Sequence, residues 1–172
     1  IPQVHSEDHA QTAILGISGV PDHSRTLTLT ENSKLRIRLR ADKVGDLLKL
    51  AGKKLQIGDS QVHLAIPHTA LLQAKVNLYS RLVTIKNGLT EEIFRESIKK
   101  QCDDLNIHKE PILFRDPPAK IDGKIIRKTV RIQGKEVVGF PVVFHGLPPD
   151  ESLRLQEFGL GGRRKIGCGS FV

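Results

Sequence analysis

Beyond Leu78 the hydrophobic pattern changes period in a fixed order, and that order restricts the fold more than any other feature of the chain. "LYSRLVTIK", from Leu78 to Lys86, reads as a strand. Asn87-Gly88 then turns the chain, and Thr90 can cap a helix. Phe94, Ile98, Cys102 and Leu105 fall at i, i+4, i+8 and i+11, which makes one apolar stripe. Glu91 and Glu92 suit the positive end of that helix, Lys99 and Lys100 its negative end. "PILFR" is a further strand, and "KIIRKTVRI", Gly134-Lys135 and "EVVGFPVVFHG" read as a long hairpin. Asp150 can cap a last helix that offers Leu153, Leu155 and Phe158 for burial and stops at Gly159.

Strand, helix, strand, strand, helix, strand is the ferredoxin-like order. The first half uses similar grammar. "TAILGISGV" reads as a strand, and "TLTLT" (Thr26 to Thr30) pairs with Lys34–Arg40 through a turn at Glu31-Asn32-Ser33. Strict alternation in the latter turns Leu35, Ile37 and Leu39 to a core and Lys34, Arg36, Arg38 and Arg40 outward. Asp42 can cap a helix with Val44, Leu47, Leu48 and Ala51 on one face, ended by Gly52, and "SQVHLAIP" follows as a strand. This half completes the ferredoxin-like order if its initial strand and helix lie before Ile1. The expected architecture is α+β: tandem ferredoxin-like (RNA-recognition-motif-like) domains, an incomplete one over 1–74 and a second over 75–172. A single mixed sheet is the alternative.

The chain ends in "FGLGGRRKIGCGSFV", five glycines in fifteen residues interrupted by Arg163-Arg164-Lys165. Glycine allows positive φ and lets a second backbone or a ligand come close. Adjacent cations repel unless an anion or solvent accepts them. The whole chain leans the same way: 27 Lys and Arg against 19 Asp and Glu give +8 over 172 residues, a charge that attracts polyanions.

Other chemistries fit poorly. Gly162 to Gly167 has the spacing of a phosphate-binding Walker loop, but Cys168 stands where the lysine is required, and Arg164 occupies the third glycine of a dinucleotide fingerprint. No metal set with a third ligand stands out: His5 and His9 have no Cys or further His near them, and His23, His63, His68, His108 and His145 are scattered. No metal or cofactor is expected. Neither Cys102 nor Cys168 has a nucleophile signature, and the two form no disulfide framework, which fits a reducing compartment. With no long apolar run and no signal peptide, a cytoplasmic protein with no membrane partner is expected.

What survives is a nucleic-acid backbone. Arg36, Arg38 and Arg40 on one strand, Arg127, Lys128 and Arg131 on another, and Arg163, Arg164 and Lys165 in the glycine loop are three basic elements. Aromatics are scarce, with one Tyr and six Phe, so no base-stacking platform is visible in the sequence.

The C-terminal segment "SLRLQEFGLGGRRKIGCGSFV" resembles that of the CRISPR-associated endoribonucleases that process precursor CRISPR RNA, in the repeat-associated mysterious protein superfamily. Their glycine-rich motif GxGxxxxxGxG is met by Gly159, Gly161, Gly167 and Gly169, with Gly162 and the basic segment between. "LYSRLVTIK", "RIQGKEVVGF" and "LQIGDSQVHLAIP" look like segments of the branch found in myxobacterial-type, cyanobacterial and transposon-associated systems. The resemblance implies tandem ferredoxin-like folds and metal-independent cleavage in the repeat hairpin by a ribose 2′-OH, in the cytoplasm of a prokaryote. It implies as partners the crRNA repeat hairpin, the backbone subunits of a Cascade-type complex and, in the transposon-associated systems, transposition proteins. Arg163, Arg164 and Lys165 are then expected at phosphates, the glycine loop lets RNA approach, and Arg36, Arg38, Arg127, Lys128 and Arg131 widen the cationic track. Tyr79 can orient a phosphate. The family's catalytic histidine lies near the first helix, before the residues present here, so none is carried over; His5 is the nearest substitute. A non-catalytic hairpin-binding subunit and a basic structural protein such as a ribosomal component are the alternatives.

Overall fold

The computed structural model describes residues 12–22, 26–86, 90–116, 123–132 and 134–172. Its strands are β1 (Ala13–Ile17), β2 (Val20–Pro21), β3 (Leu27–Thr28), β4 (Leu35–Arg38), β5 (Lys54–Ile57), β6 (Ser60–His63), β7 (Leu78–Val83), β8 (Ile112–Leu113), β9 (Arg115–Asp116), β10 (Lys124–Ile125), β11 (Lys128–Ile132) and β12 (Lys135–Phe144). Its α-helices are α1 (Val44–Leu48), α2 (Glu91–Asp104) and α3 (Pro149–Phe158), with single 3₁₀ turns at Ala41–Lys43 and Arg164–Ile166. The class is α+β. By contacts the chain forms two compact units, one of Ile1–Arg38 with Gln73–Val172, the other of Leu39–Leu72.

The larger unit holds the core. β12 is central: Val143 lies opposite Tyr79 of β7 on one edge and opposite Ile112 of β8 on the other, both antiparallel. Beyond β7 the chain end adds a further edge, since Tyr79 and Val172 exchange both backbone hydrogen bonds at 3.1 and 3.0 Å. The order across the sheet is therefore terminal segment, β7, β12, β8, the fourth, first, third and second strands of a ferredoxin-like half. α2 forms as its stripe predicts: Thr90 Oγ1 accepts from the Ile93 N–H at 3.4 Å, and Phe94, Ile98 and Cys102 are buried. Phe94 meets Phe140 of β12 with ring centroids 4.4 Å apart, and Phe144 meets Phe171 at 5.6 Å. α3 starts one residue ahead of the expected cap. Pro148 precedes it, and Asp150 sits inside its first turn, paired with Arg154 at 2.8 Å. Of its expected buried residues Leu155 is fully buried, while Leu153 is exposed.

The first half departs from its expected pairing. β4 pairs with β1, not with Thr26–Thr30, whose residues Leu27 and Thr28 instead form β3 against β2. Ala13 is fully buried and lies opposite Arg38, and residues opposite each other share a face, so Arg38 points inward rather than out. The pairing carries a bulge between Ile14 and Gly16, and Leu35 comes to lie 38 % exposed.

Within the Leu39–Leu72 unit, β5 and β6 form a hairpin around Gly58-Asp59. β5 is a strand that the sequence reading passed over. Asp42 takes the Arg40 guanidinium at 2.9 Å and caps nothing, and α1 buries no residue. His5, His9, His23, Asn87 and Gly88 lie outside the described residues.

Candidate nucleic-acid interface

The glycine loop starts where α3 stops. Gly159 takes φ +61°, ends the helix, and sends the chain across its own path. Leu160 N–H donates to Gly169 O at 3.0 Å, Gly169 N–H to Leu82 O at 2.7 Å, and Gly162 N–H to Thr84 O at 2.9 Å. The loop is thus stitched to itself and to the end of β7. A Cβ on Gly169 would stand 2.0 Å from Leu160 O, and one on Gly161 2.5 Å from Thr84 O. These glycines are therefore required by the protein's own backbone, where the sequence reading assigned them to the approach of RNA. Gly167 takes φ +85° beside Ile14 O, and Gly162 alone of the loop glycines could carry a Cβ at ordinary contact distance, 4.0 Å from Thr84 O.

The loop's three cations diverge. Arg164 is buried, and its Nη2 lies 3.4 Å from Gln156 O in the last turn of α3. Arg38 reaches the same Gln156 carbonyl with Nη1 and the Phe171 carbonyl with Nη2 at 3.0 Å. Carbonyls at a helix C-terminus lack intrahelical donors and carry the negative end of the dipole, which explains two guanidiniums gathered there. Burial, and after it the charge of Arg38, pull Arg164 down to about 10, so it remains a cation at neutral pH. Burial lowers Arg38 too. Arg164, expected at a phosphate, and Arg38, expected on the cationic track, instead tie β4, α3 and the chain end together.

Arg163 and Lys165 are exposed. Arg163 holds φ +62°, a left-handed conformation costly for a residue with a Cβ, and its carbonyl takes the N–H groups of Ile166 and Cys168 at 3.1 and 3.2 Å. Burial raises the pKa of the buried Cys168 thiol, while the charges of Arg163 and Arg81 pull against it. Arg81 is a residue that the sequence reading missed. It stands two positions after Tyr79 on β7, and the signal was there: one cation within a strand of otherwise uncharged residues.

From Arg81 the surface dips into an open depression of about 320 Å³, lined by Arg81, Leu82, Lys128, Thr129 and Val130. Lys128 Nζ lies 3.4 Å from the Tyr79 hydroxyl. Arg81 and Lys128 thus bring cations from β7 and β11 onto one surface, and Arg163 follows Gly162, whose N–H is bonded to Thr84 O just past the end of β7. The other predicted cations lie elsewhere. Arg127 stands over the Phe140 ring at 5.9 Å, Arg131 faces Glu136 at 3.9 Å, and Arg36 is exposed on β4.

None of the described histidines lines the depression. His63 lies 3.2 Å from Gly52 O, His145 2.9 Å from Asn77 Oδ1, and His108 3.0 Å from the buried Glu151 carboxylate. Among the described residues no group of three or more His, Cys, Asp or Glu is placed to hold a metal ion, and no helix is long and apolar enough to cross a membrane.

Known proteins share both the sequence and the fold. The family model described as Cas6, Cas6 Crispr, matches residues 1–172. A CRISPR-associated endonuclease Cas6 from Myxococcus xanthus (strain DK1622) is 31 % identical over 172 residues, spanning 100 % of this chain and 69 % of the relative. A solved structure described as the characterization of a Cas6-related gene from Pyrococcus furiosus superposes with a TM-score of 0.51 at 12 % identity, covering 97 % of this chain and 79 % of that one. With the whole chain matched by the family model and the glycine loop closing a ferredoxin-like half, this chain belongs to the Cas6 family.

Proposed function

We propose that this protein cuts precursor CRISPR RNA within the repeat hairpin without a metal ion, and keeps the processed RNA. Endoribonuclease activity in CRISPR RNA processing follows from its family. In the proposed reaction the 2′-oxygen forms a bond to the adjacent phosphorus, and the P–O5′ bond breaks. The 2′-OH proton goes to a general base and the leaving 5′-oxygen takes up a proton. The products are a 2′,3′-cyclic phosphate and a 5′-OH. Negative charge grows on the phosphoryl oxygens, so cations held nearby lower the barrier.

The observation that carries this reading is the joint placement of Arg81 and Lys128 on one surface, with Arg163 in the loop that is hydrogen-bonded to the end of β7. Arg163 in a left-handed backbone adds support, because strain of this kind concentrates at functional sites. Tyr79, beside the Lys128 ammonium, is suited to donate its hydroxyl proton to a phosphate oxygen. Arg36, Arg127, Arg131 and Lys165 form an outer cationic fringe, and Arg38 and Arg164 act by holding the loop. The general base belongs to a residue outside those described, with His5 as the candidate within the chain. The bound product then serves as the 3′-hairpin end of a Cascade-type complex in the prokaryotic cytoplasm, next to its backbone subunits and, in transposon-associated systems, to transposition proteins.

The test is cleavage of a repeat-hairpin RNA in excess chelator, with the product ends mapped. Cleavage that persists and leaves 2′,3′-cyclic phosphate and 5′-OH ends is expected. Loss of cleavage on chelation contradicts the metal-free mechanism, and tight binding with no cleavage contradicts the enzymatic one.

A further inference from the structure

The outer face of the larger sheet carries two aromatic rings that the sequence keeps far apart. Phe140, Val142 and Phe144 of β12 point into the core beneath α2 and α3. Val143 therefore faces the other way, and its cross-strand neighbours Tyr79 and Ile112 continue the same row. Phe114 follows Ile112 by two residues, and its ring meets Tyr79 edge-on, with centroids 5.9 Å apart and planes at 89°. Phe114 is 40 % exposed and Ile112 48 %. Lys128 stands at the Tyr79 hydroxyl, and Arg81 lines the depression beside it.

A single exposed phenylalanine is ordinary on a protein surface. Here the ring is held in place by a tyrosine edge and bordered by two cations. A protein partner seated on it would have to desolvate Lys128 and Arg81, and among the described residues neither has an acidic side chain within ion-pair distance. A nucleotide satisfies both halves, because its base stacks on the ring while its phosphate meets the cations.

We propose that Phe114 and Tyr79 form a stacking platform for an unpaired nucleotide of the RNA, with the phosphates on either side of it on Lys128 and Arg81. The platform rests on the RNA-binding reading above and extends it. The protein would read not only a paired hairpin but also an unpaired base beside it, on a sheet face whose aromatics are too dispersed in sequence to be noticed there.

The chain has one tyrosine and no tryptophan, so its ultraviolet emission reports directly on Tyr79. The full chain is titrated with single-stranded hexa-adenylate RNA and, separately, with a fully paired stem-loop that has no unpaired flank. Quenching of tyrosine emission by hexa-adenylate is expected. Phe114→Ala and Phe114→Leu should each weaken hexa-adenylate binding by about 5- to 150-fold, the range of one lost base stack, while Phe114→Tyr stays within about twofold of the parent. The leucine variant retains the apolar bulk, so its loss isolates the ring. Stem-loop affinity should change little in any of the three. If the wild type binds both RNAs and neither Phe114 variant weakens hexa-adenylate, or if saturating hexa-adenylate leaves tyrosine emission unchanged, the platform is wrong and the RNA-binding reading stands. If neither RNA binds, both are wrong.

Discussion

Arg38 and Arg81 come from the same kind of sequence, a cation within an alternating or apolar strand, and they end in opposite surroundings. Arg38 turns under β4 and gives its guanidinium to the carbonyls of Gln156 and Phe171. Arg81 stays on the outer face of β7 and lines an open depression with Lys128. The same split runs through the glycine loop, where Arg164 is buried against Gln156 O while Arg163, its neighbour, is exposed. The difference lies in what covers each strand. Alternation assigns side chains to two faces but does not say which face meets a helix end rich in unpaired carbonyls. A count of basic residues therefore overstates the binding surface, because part of the charge is structural.

Variants that disturb the inward region should act on stability, and variants in the outward region on RNA. The largest effect is expected at Gly169→Ala, where the added Cβ meets Leu160 O at 2.0 Å and the φ of +66° is already strained for alanine. A loss of about 3 kcal/mol or more is expected in denaturant unfolding. Arg38→Ala should follow with a loss of about 1–3 kcal/mol, the usual consequence of leaving buried carbonyls without donors. Arg36→Ala, two residues away and exposed opposite Gly16, should stay within about 0.5 kcal/mol. If the two arginines behave alike, the structural role given to the Arg38 contacts with Gln156 and Phe171 is wrong.

Arg163→Gly sharpens the contrast from the other side. It relieves a left-handed backbone at φ +62° while removing an exposed cation. Stability should be unchanged or rise by up to about 1 kcal/mol, as RNA affinity falls. A variant that loses both would give Arg163 a structural role instead.

The smallest effect concerns pH. Burial pushes the Glu151 carboxyl up, but the His108 ring, the main-chain N–H groups of His108 and Lys109, and the His108 charge together hold it below its ordinary value. A depressed folded-state pKa contributes stability above the unfolded value and loses it as pH falls through the folded one. Wild-type stability should therefore decline below about pH 4.3. Glu151→Gln, less stable at neutral pH, should show a shallower decline there in thermal unfolding across that range.

Much of the fold is legible wherever the determinants are local. The stripe of Phe94, Ile98 and Cys102, the Thr90 cap, the stop at Gly159 and the β11–β12 hairpin all follow from residues within a few positions of one another. What escapes depends on partners far along the chain. β4 pairs with β1 and not with its nearest neighbour, and Arg38 finds its acceptors at Gln156 and Phe171. β5 was hidden because Leu39–Leu72 buries no residue and so has no strong apolar period to read. At the candidate site the glycine motif was visible but its cause was not, because Gly169 and Leu160 cross only in the folded loop. Arg81 and Phe114 each looked unremarkable alone, and only the sheet brings them to one face with Tyr79 and Lys128.

The central claim is that RNA meets the outward cations and not the inward ones, and the salt dependence of hairpin RNA affinity tests it most directly. The Arg81→Ala/Lys128→Ala double variant should flatten the slope of log affinity against log salt by about 1.4–1.8, two phosphate contacts, while Arg38→Ala leaves the slope as it is in the parent. An unchanged slope in the double variant, or a flattened one in Arg38→Ala alone, would contradict the account.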